Sequence, residues 1–192
     1  MRRLTYFIAT SIDGLIADEN GSIEAFFPLP DGLAEHLVAE YPETLPTHLH
    51  ETFGVTVADG RFDAVIQGRG TYQPALTEGI TSPYAHLAQY VVSTTLGEVD
   101  DPKVNLIDGD PLEAVRELKS RDGGGIWLAG GARLAGSLYP EIDEIIVKVY
   151  PLVLGAGKPM FEGKGVDPVR FELTDSTVVG TGGAVIHRYS RI

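Results

Sequence analysis

Apolar residues along this chain come in short blocks cut by glycine, proline and aspartate, and two kinds of block alternate. The first kind is dense in β-branched and aromatic residues and predicts strands: RLTYFIATS near the start, FDAVIQG from Phe62, QYVV from Gln89, a short VNLI from Val104, and IWLA from Ile126. The second kind repeats at helical spacing. PDGLAEHLVAEY predicts a helix opening at Asp31, with Leu33, Leu37 and Val38 on its apolar side. DPLEAVRELKS predicts another, with Asp110 as N-cap, Pro111 at the first helical position, and Leu112, Val115 and Leu118 on one face. Further helices are expected to start after Gly68 and at Ala132. SIDGLIADENGSI reads as a loop punctuated by Gly14 and Gly21, and IDEIIVKVYPLVLGAGKPMF as a long strand broken at Pro151. The tail RFELTDSTVVGTGGAVIHRYSRI reads as a hairpin turning at Thr181 to Gly183. Residues 40 to 60 show no clear period.

Strand and helix alternate through residue 140 and a hairpin closes the chain, which predicts a three-layer α/β fold whose sheet is mixed, with an antiparallel edge. No Ser/Pro-rich linker, low-complexity tract or internal repeat divides the 192 residues, and 43% hydrophobic residues suffice for one core, so a single domain over 1–192 is expected. Thr10, Ser11 and Asp13 interrupt the first apolar run too early for a signal sequence or a membrane span, which predicts a cytoplasmic protein. The absence of cysteine excludes disulfides, Cys-zinc sites and a thiol nucleophile. A formal charge of −12, with scattered arginines, argues against nucleic acid or anionic membrane as partner. Any anionic ligand must be small and held locally.

In open α/β sheets ligands bind beyond the carboxyl ends of the strands, and three predicted strands end in suggestive chemistry. Gly130 and Gly131 precede a helix, whose first N–H groups and partial positive charge suit a pyrophosphate; a plain strand-to-helix turn would need the same glycines. Gly68-Arg69-Gly70-Thr71 adds a guanidinium and a hydroxyl at a second helix start, or is simply a capped turn with a surface arginine. Ser93, Thr94 and Thr95 could offer hydroxyls to a phosphate or ribose, or cap the next turn. Their order, one group per strand end, favours a shared anionic ligand over three unrelated turns.

The blocks FIATSIDGLIAD, VIQGRGTY, YVVSTTL, IWLAGGARLAGSL and IDEIIVKVYPLVLGAGKPMF, in this order and over nearly the whole chain, resemble the dihydrofolate reductase superfamily, and more closely the reductase family of the RibD C-terminal domain, from the bifunctional riboflavin-biosynthesis deaminase-reductase. The resemblance implies a dihydrofolate reductase-like fold, with a mainly parallel sheet of about eight strands, helices on both faces and NADPH as cofactor. It implies that Gly130 and Gly131 lie against the pyrophosphate, with Ala132 and Arg133 continuing the helix start. By the same resemblance Gly68, Arg69, Gly70 and Thr71 cover the phosphates from a second helix, and Ser93, Thr94 and Thr95 face the adenosine ribose phosphate. Ala9 and Ile16 match positions whose backbone holds the nicotinamide carboxamide, and Asp13 and Gly14 match a mobile loop over that ring. Relatives of this kind often pair as two-fold dimers, so a homodimer is expected.

On the substrate side an ungapped match puts Gly32 where folate reductases carry an acid, with Asp31 one residue earlier as an expected N-cap and Glu35 a turn later as a second, solvated candidate. Asp31 and Glu35 are thus weak candidates for a catalytic acid, and a bound water is an alternative proton source. Riboflavin-type reductases usually carry an aspartate-rich loop after the second strand, where this chain has GRGTYQPAL, which leaves 5-amino-6-(5-phosphoribosylamino)uracil one candidate among small heterocyclic or sugar-linked substrates. LGAGKPM lacks the first glycine and the Ser/Thr of a P-loop; the resemblance places it near the substrate, where Lys158, like Asp13, is a weak binding candidate. Residues 40 to 60 are expected to form a lid or pocket wall that narrows substrate choice. His48 and His50 lack a third partner at metal-ligand spacing, Trp127 reads as core, and no metal site is expected. The competing classes are a protein that binds NADPH without catalysis, a reductase of a pterin or folate-like substrate, and a flavin-binding oxidoreductase.

Overall fold

The structure, a computed structural model, describes residues 1–57, 60–97, 99–163 and 168–192. Its strands are β1 (Leu4–Thr10), β2 (Leu15–Ala17), β3 (Phe62–Gly68), β4 (Ala88–Val92), β5 (Val104–Ile107), β6 (Gly125–Gly130), β7 (Glu144–Val149), β8 (Lys158–Pro159), β9 (Phe171–Val179) and β10 (Ala184–Arg191). The helices are α1 (Leu33–Glu40), α2 (His50–Phe53), α3 (Arg69–Thr77), α4 (Pro111–Ser120) and α5 (Ala132–Leu138). Eight strands form one sheet in the order β5-β4-β3-β6-β1-β7-β10-β9, and β2 pairs with β8 in a separate small sheet. Every contact from β5 to β7 is parallel; β10 runs antiparallel to both β7 and β9. The mixed, mainly parallel sheet with a C-terminal hairpin is the architecture that the alternating blocks predict.

The central strands read as continuous apolar runs because both of their faces are covered. Alternate residues divide between two cores. Phe7, Val65, Trp127 and Ile146 pack with Leu33 and Leu37 of α1, while Tyr6, Ile66, Ile126 and Leu128 pack with Val115 and Leu118 of α4 and Leu134 and Leu138 of α5. Trp127 belongs to the first core, as its mid-strand position predicts, and its indole N–H donates to the Phe7 carbonyl at 3.2 Å. Asp110 caps α4 by accepting from the Leu112 amide, with Pro111 in the first turn.

Two expectations are corrected, and a segment without a clear period gains its structure. The helix predicted from Asp31 begins at Leu33, and Gly32, at φ 81°, is its N-cap. The Asp31 carboxylate accepts a hydrogen bond from the Thr181 hydroxyl, and its carbonyl accepts from the Gly182 amide, so the residue ties α1 to the β9–β10 turn. The long strand expected from Ile142 ends at Val149, and Lys158–Pro159 departs to pair with β2, inside what reads as a loop. That pairing joins segments some 140 positions apart, which local period cannot reveal. The segment without a clear period holds two single 3-10 turns, Pro42–Thr44 and Thr47–Leu49, and the short α2, with Ala58 and Asp59 outside the described residues. The buried Glu43 carboxylate accepts from the Phe62 amide at 3.1 Å, and Thr47 donates through its amide to the Pro83 carbonyl, so the segment is pinned to its surroundings. The His50 and His86 rings pack at a 49° tilt with centroids 4.5 Å apart, and His50 Nε2 contacts the Leu45 carbonyl oxygen, which accounts for it structurally.

Candidate functional site

Because β4, β3 and β6 are parallel neighbours, their carboxyl ends open on the same edge of the sheet. Gly68 closes β3 and caps α3; a Cβ built on it would lie 3.7 Å from both the Gly130 oxygen and the Gly131 nitrogen, so the ends of β3 and β6 touch. Above them stands Thr71, whose hydroxyl oxygen is 3.6 Å from the Cβ position of either glycine. The Gly130–Gly131 peptide is cis, and Gly130 has φ 120°, a conformation that side-chain-bearing residues rarely adopt. Gly70 faces open space, with nothing within 4 Å of its Cβ position.

Arg69 starts α3 and its guanidinium donates to the Thr95 hydroxyl at 2.6 Å and to the Thr95 carbonyl at 3.2 Å, bridging the helix to the turn after β4. In that turn the Ser93 hydroxyl accepts from the amides of Thr95 and Leu96, at 3.2 and 3.0 Å, so it caps the turn. Beyond it opens a cleft of about 460 Å³ lined by Ser93, Thr94, Val104, Leu106 and Asp108. On the other side of the glycines, Ala132 is buried and its carbonyl accepts from the Glu162 amide, while the exposed Arg133 pairs with the Glu162 carboxylate at 3.5 Å. The structure thus gathers Gly68, Arg69, Gly70, Thr71, Gly130 and Gly131 at one sheet edge, with Ser93, Thr94 and Thr95 adjoining them through Arg69.

The α1 face of the sheet has a polar floor at the same edge. Ala9, on β1, is half-buried and is the register partner of Lys148 on β7. Ala129, on β6, is half-buried too, and Gln67 lies at the carboxyl end of β3. Two alanines lie on this face between the two long polar side chains, and Leu29, Tyr84, Leu152 and Leu154 are partly buried against the same core. The Gln67 amide is 1% exposed, and its Nε2 has no hydrogen-bond partner among the described residues. The Lys148 ammonium sits 4.0 Å over the Phe7 ring, and burial pushes its pKa down to about 8. Sequence reasoning passes over both residues, yet a signal exists: Lys148 lies between Ile146 and Tyr150 on the inward-facing alternation of its strand, and Gln67 follows Val65 in the same way.

Other expected site residues stand further from this floor or are occupied. Ile16 is half-buried in β2, and Lys158, exposed in β8, pairs with Ala17 of the same small sheet. The Asp13 carboxylate accepts from the amides of Gly155 at 2.7 Å and Leu154 at 3.2 Å, which joins the first loop to the loop after β7. Its pKa is lowered, first by the Ser11 hydroxyl and then by the Gly155 amide. Asp31 is held by Thr181, and Glu35 is exposed in the first turn of α1.

Comparison with known proteins places these features. The RibD C-terminal domain family matches residues 2–185. The Bacillus subtilis (strain 168) protein YwjB is 32% identical over 162 residues, covering 83% of each chain. Among solved structures, the "Putative riboflavin biosynthesis protein" of Shewanella sp. PV-4 superposes with a TM-score of 0.72 at 26% identity, over 100% of this chain and 99% of the other. The dihydrofolate reductase of Enterococcus faecalis, solved with NADP(H), superposes with a TM-score of 0.65 over 98% of this chain and 96% of the other; at 16% identity the likeness is one of fold.

Proposed function

The chain belongs to the RibD C-terminal domain family, and on that premise we propose that it is an NADPH-dependent reductase acting on a small heterocyclic or sugar-linked substrate. The observation that carries the reading is the convergence of Gly68, Thr71, Gly130 and Gly131 at one sheet edge, with the Arg69–Thr95 bridge and the 460 Å³ cleft beside them. The residues fit a dinucleotide: Gly70 and Gly131 offer bare backbone on either side of the Thr71 hydroxyl, and no side chain fills the space over Gly70. In this reading the pyrophosphate lies over Gly130 and Gly131, and Ala132, Arg133 and Gly68 frame it. Thr71 donates to a phosphate oxygen. Arg69 offers its remaining N–H groups to the adenosine 2′-phosphate, with Thr94 and Thr95 beside it. Ser93 contributes indirectly, by holding the turn.

The bound cofactor supplies a hydride to the substrate; the protein orients the two and excludes water. Ala9 and Ile16 present backbone groups to the nicotinamide end, and Asp13 fastens the loops that cover it. 5-Amino-6-(5-phosphoribosylamino)uracil is the substrate that the family resemblance suggests, and in this reading Lys158, exposed on β8, reaches in to an anionic substituent on it. A cytoplasmic homodimer working on a free small molecule completes the proposal.

The test is a fluorescence titration of wild type and Arg69→Ala with NADPH and NADH. Wild type is expected to bind NADPH more tightly, with the preference reduced about tenfold or more in Arg69→Ala. Failure to bind either nucleotide would refute the reductase reading and leave the glycines as turn residues.

A further inference from the structure

A reduction of a double bond needs a proton as well as a hydride, and neither acid suggested by the sequence stands on the sheet floor between Gln67 and Lys148. Asp31 is bonded to the β9–β10 turn and Glu35 faces solvent. Lys148 is differently placed. It lies near the carboxyl end of β7, at the same sheet end as Gly68 and Gly130, and on the α1 face. Its ammonium rests on the Phe7 ring beside the small Ala9, and no hydrogen bond or ion pair engages it among the described residues.

The groups that face it are Tyr150 on its own strand, Arg188 on β10, and Tyr41 at the end of α1, whose hydroxyl accepts from Arg188 at 2.8 Å. The nearest carboxylate on that face of β7, Glu144, is already taken by the Thr5 hydroxyl at 2.9 Å and Arg61 at 3.3 Å. The half-buried cation has lost part of its water without gaining an anion. Across the floor, three strand spacings or roughly 14 Å away, the Gln67 amide points a buried, unpartnered donor from the same face. Two unsatisfied donors flanking a pair of alanines describe a site for a flat molecule that carries hydrogen-bond acceptors.

We propose that Lys148 is the proton donor of the reaction, with Gln67 anchoring a carbonyl oxygen of the substrate at the opposite side of the floor. The inference rests on the reductase reading above. In the step, the carbon of a C=N or C=O bond accepts hydride, supplied by the reduced cofactor, and the π pair moves to the heteroatom. That heteroatom takes a proton from the Lys148 ammonium, which becomes a neutral amine and regains its proton from water. A donor with a pKa near the working pH is suited to this exchange. The lowered value at Lys148 agrees with the geometry. The substrate class is therefore a planar ring or open-chain imine with a basic heteroatom next to the reduced carbon and a carbonyl acceptor further along.

The experiment uses wild type and Lys148→Arg carrying [ε-13C]lysine; with five lysines in the chain, the Lys148 signal is assigned by its loss in the variant. In the ligand-free protein that signal is expected to titrate near pH 8, against about 10.4 for an ordinary lysine. Adding 5-amino-6-(5-phosphoribosylamino)uracil to the NADP+-saturated protein is expected to shift it. With NADPH and the same probe, Lys148→Arg is expected to keep KM within about threefold, lose kcat about 100-fold, and lose the fall in rate above pH 8. An ordinary titration, a signal indifferent to the probe, or an unchanged kcat would each overturn the proposal, as would a rise in KM alone, which would make Lys148 a charge clamp. Loss of nucleotide binding would instead sink the reductase reading, and the ligand-free titration tells the two failures apart.

Discussion

Replacing Lys148 by methionine should stabilise the folded chain at neutral pH, by an amount that the pKa fixes. The group moves from 10.5 in the unfolded chain to about 8 in the fold, and burial is the cause. At ~1.4 kcal/mol per pH unit, this net shift corresponds to a penalty of about 3 kcal/mol for charging the amine in the fold. The sign follows from proton linkage. Between pH 8 and 10.5 the unfolded chain holds more protons than the folded one, so wild-type stability rises with pH across that window and the penalty is fully present below it. Methionine fills similar volume without a charge. Urea unfolding of both proteins by tryptophan fluorescence, at pH 7 and again at pH 10.5, gives the difference; contributions from Tyr150 and Arg188 are common to both and cancel. The expected excess stability of Lys148→Met is about 3 kcal/mol at pH 7 and shrinks toward zero at the higher pH. A difference independent of pH would refute the claim that the ammonium is held in a water-poor place.

Three further substitutions probe the strand-end glycines and the loop clamp. Gly130→Ala places a side chain at φ 120° and should cost about 2 kcal/mol, lowering Tm by roughly 5 °C in calorimetry, whereas Gly131→Ala, at φ −91°, should keep Tm and weaken NADPH binding alone. Asp13→Ala should speed limited proteolysis of residues 151 to 157, because the carboxylate no longer receives the Leu154 and Gly155 amides. In wild type the same loosening should come on as pH falls through the lowered pKa of Asp13 and be absent well above it.

The site was legible in the sequence to the extent that each part of it is local. GRGT, STT and GG each announce a strand end by a change from apolar residues to glycine and hydroxyls, and all three lie at the expected ends of β3, β4 and β6. What they touch is not local. Ser93 looks equally like a ligand donor or a turn cap in one dimension, and the structure shows it capping the turn through the Thr95 and Leu96 amides. Asp31 looks like an N-cap because aspartate before an apolar helical run usually is one, but Gly32 takes that place while the β9–β10 turn, 150 residues on, takes the carboxylate.

By itself the sequence determined the alternation of strands and helices, the mixed sheet closed by a hairpin, and the family, because strand and helix periods and short motifs are written within a few residues of one another. The tertiary structure alone decided which side chains share a face and which are left without partners. Lys148 and Gln67 are ordinary polar residues in one dimension. They become candidates only when β7, β1, β6 and β3 align to put them on one floor, with Ala9 and Ala129 between them, because desolvation and unmet hydrogen bonds depend on everything packed around a group and not on its neighbours in the chain.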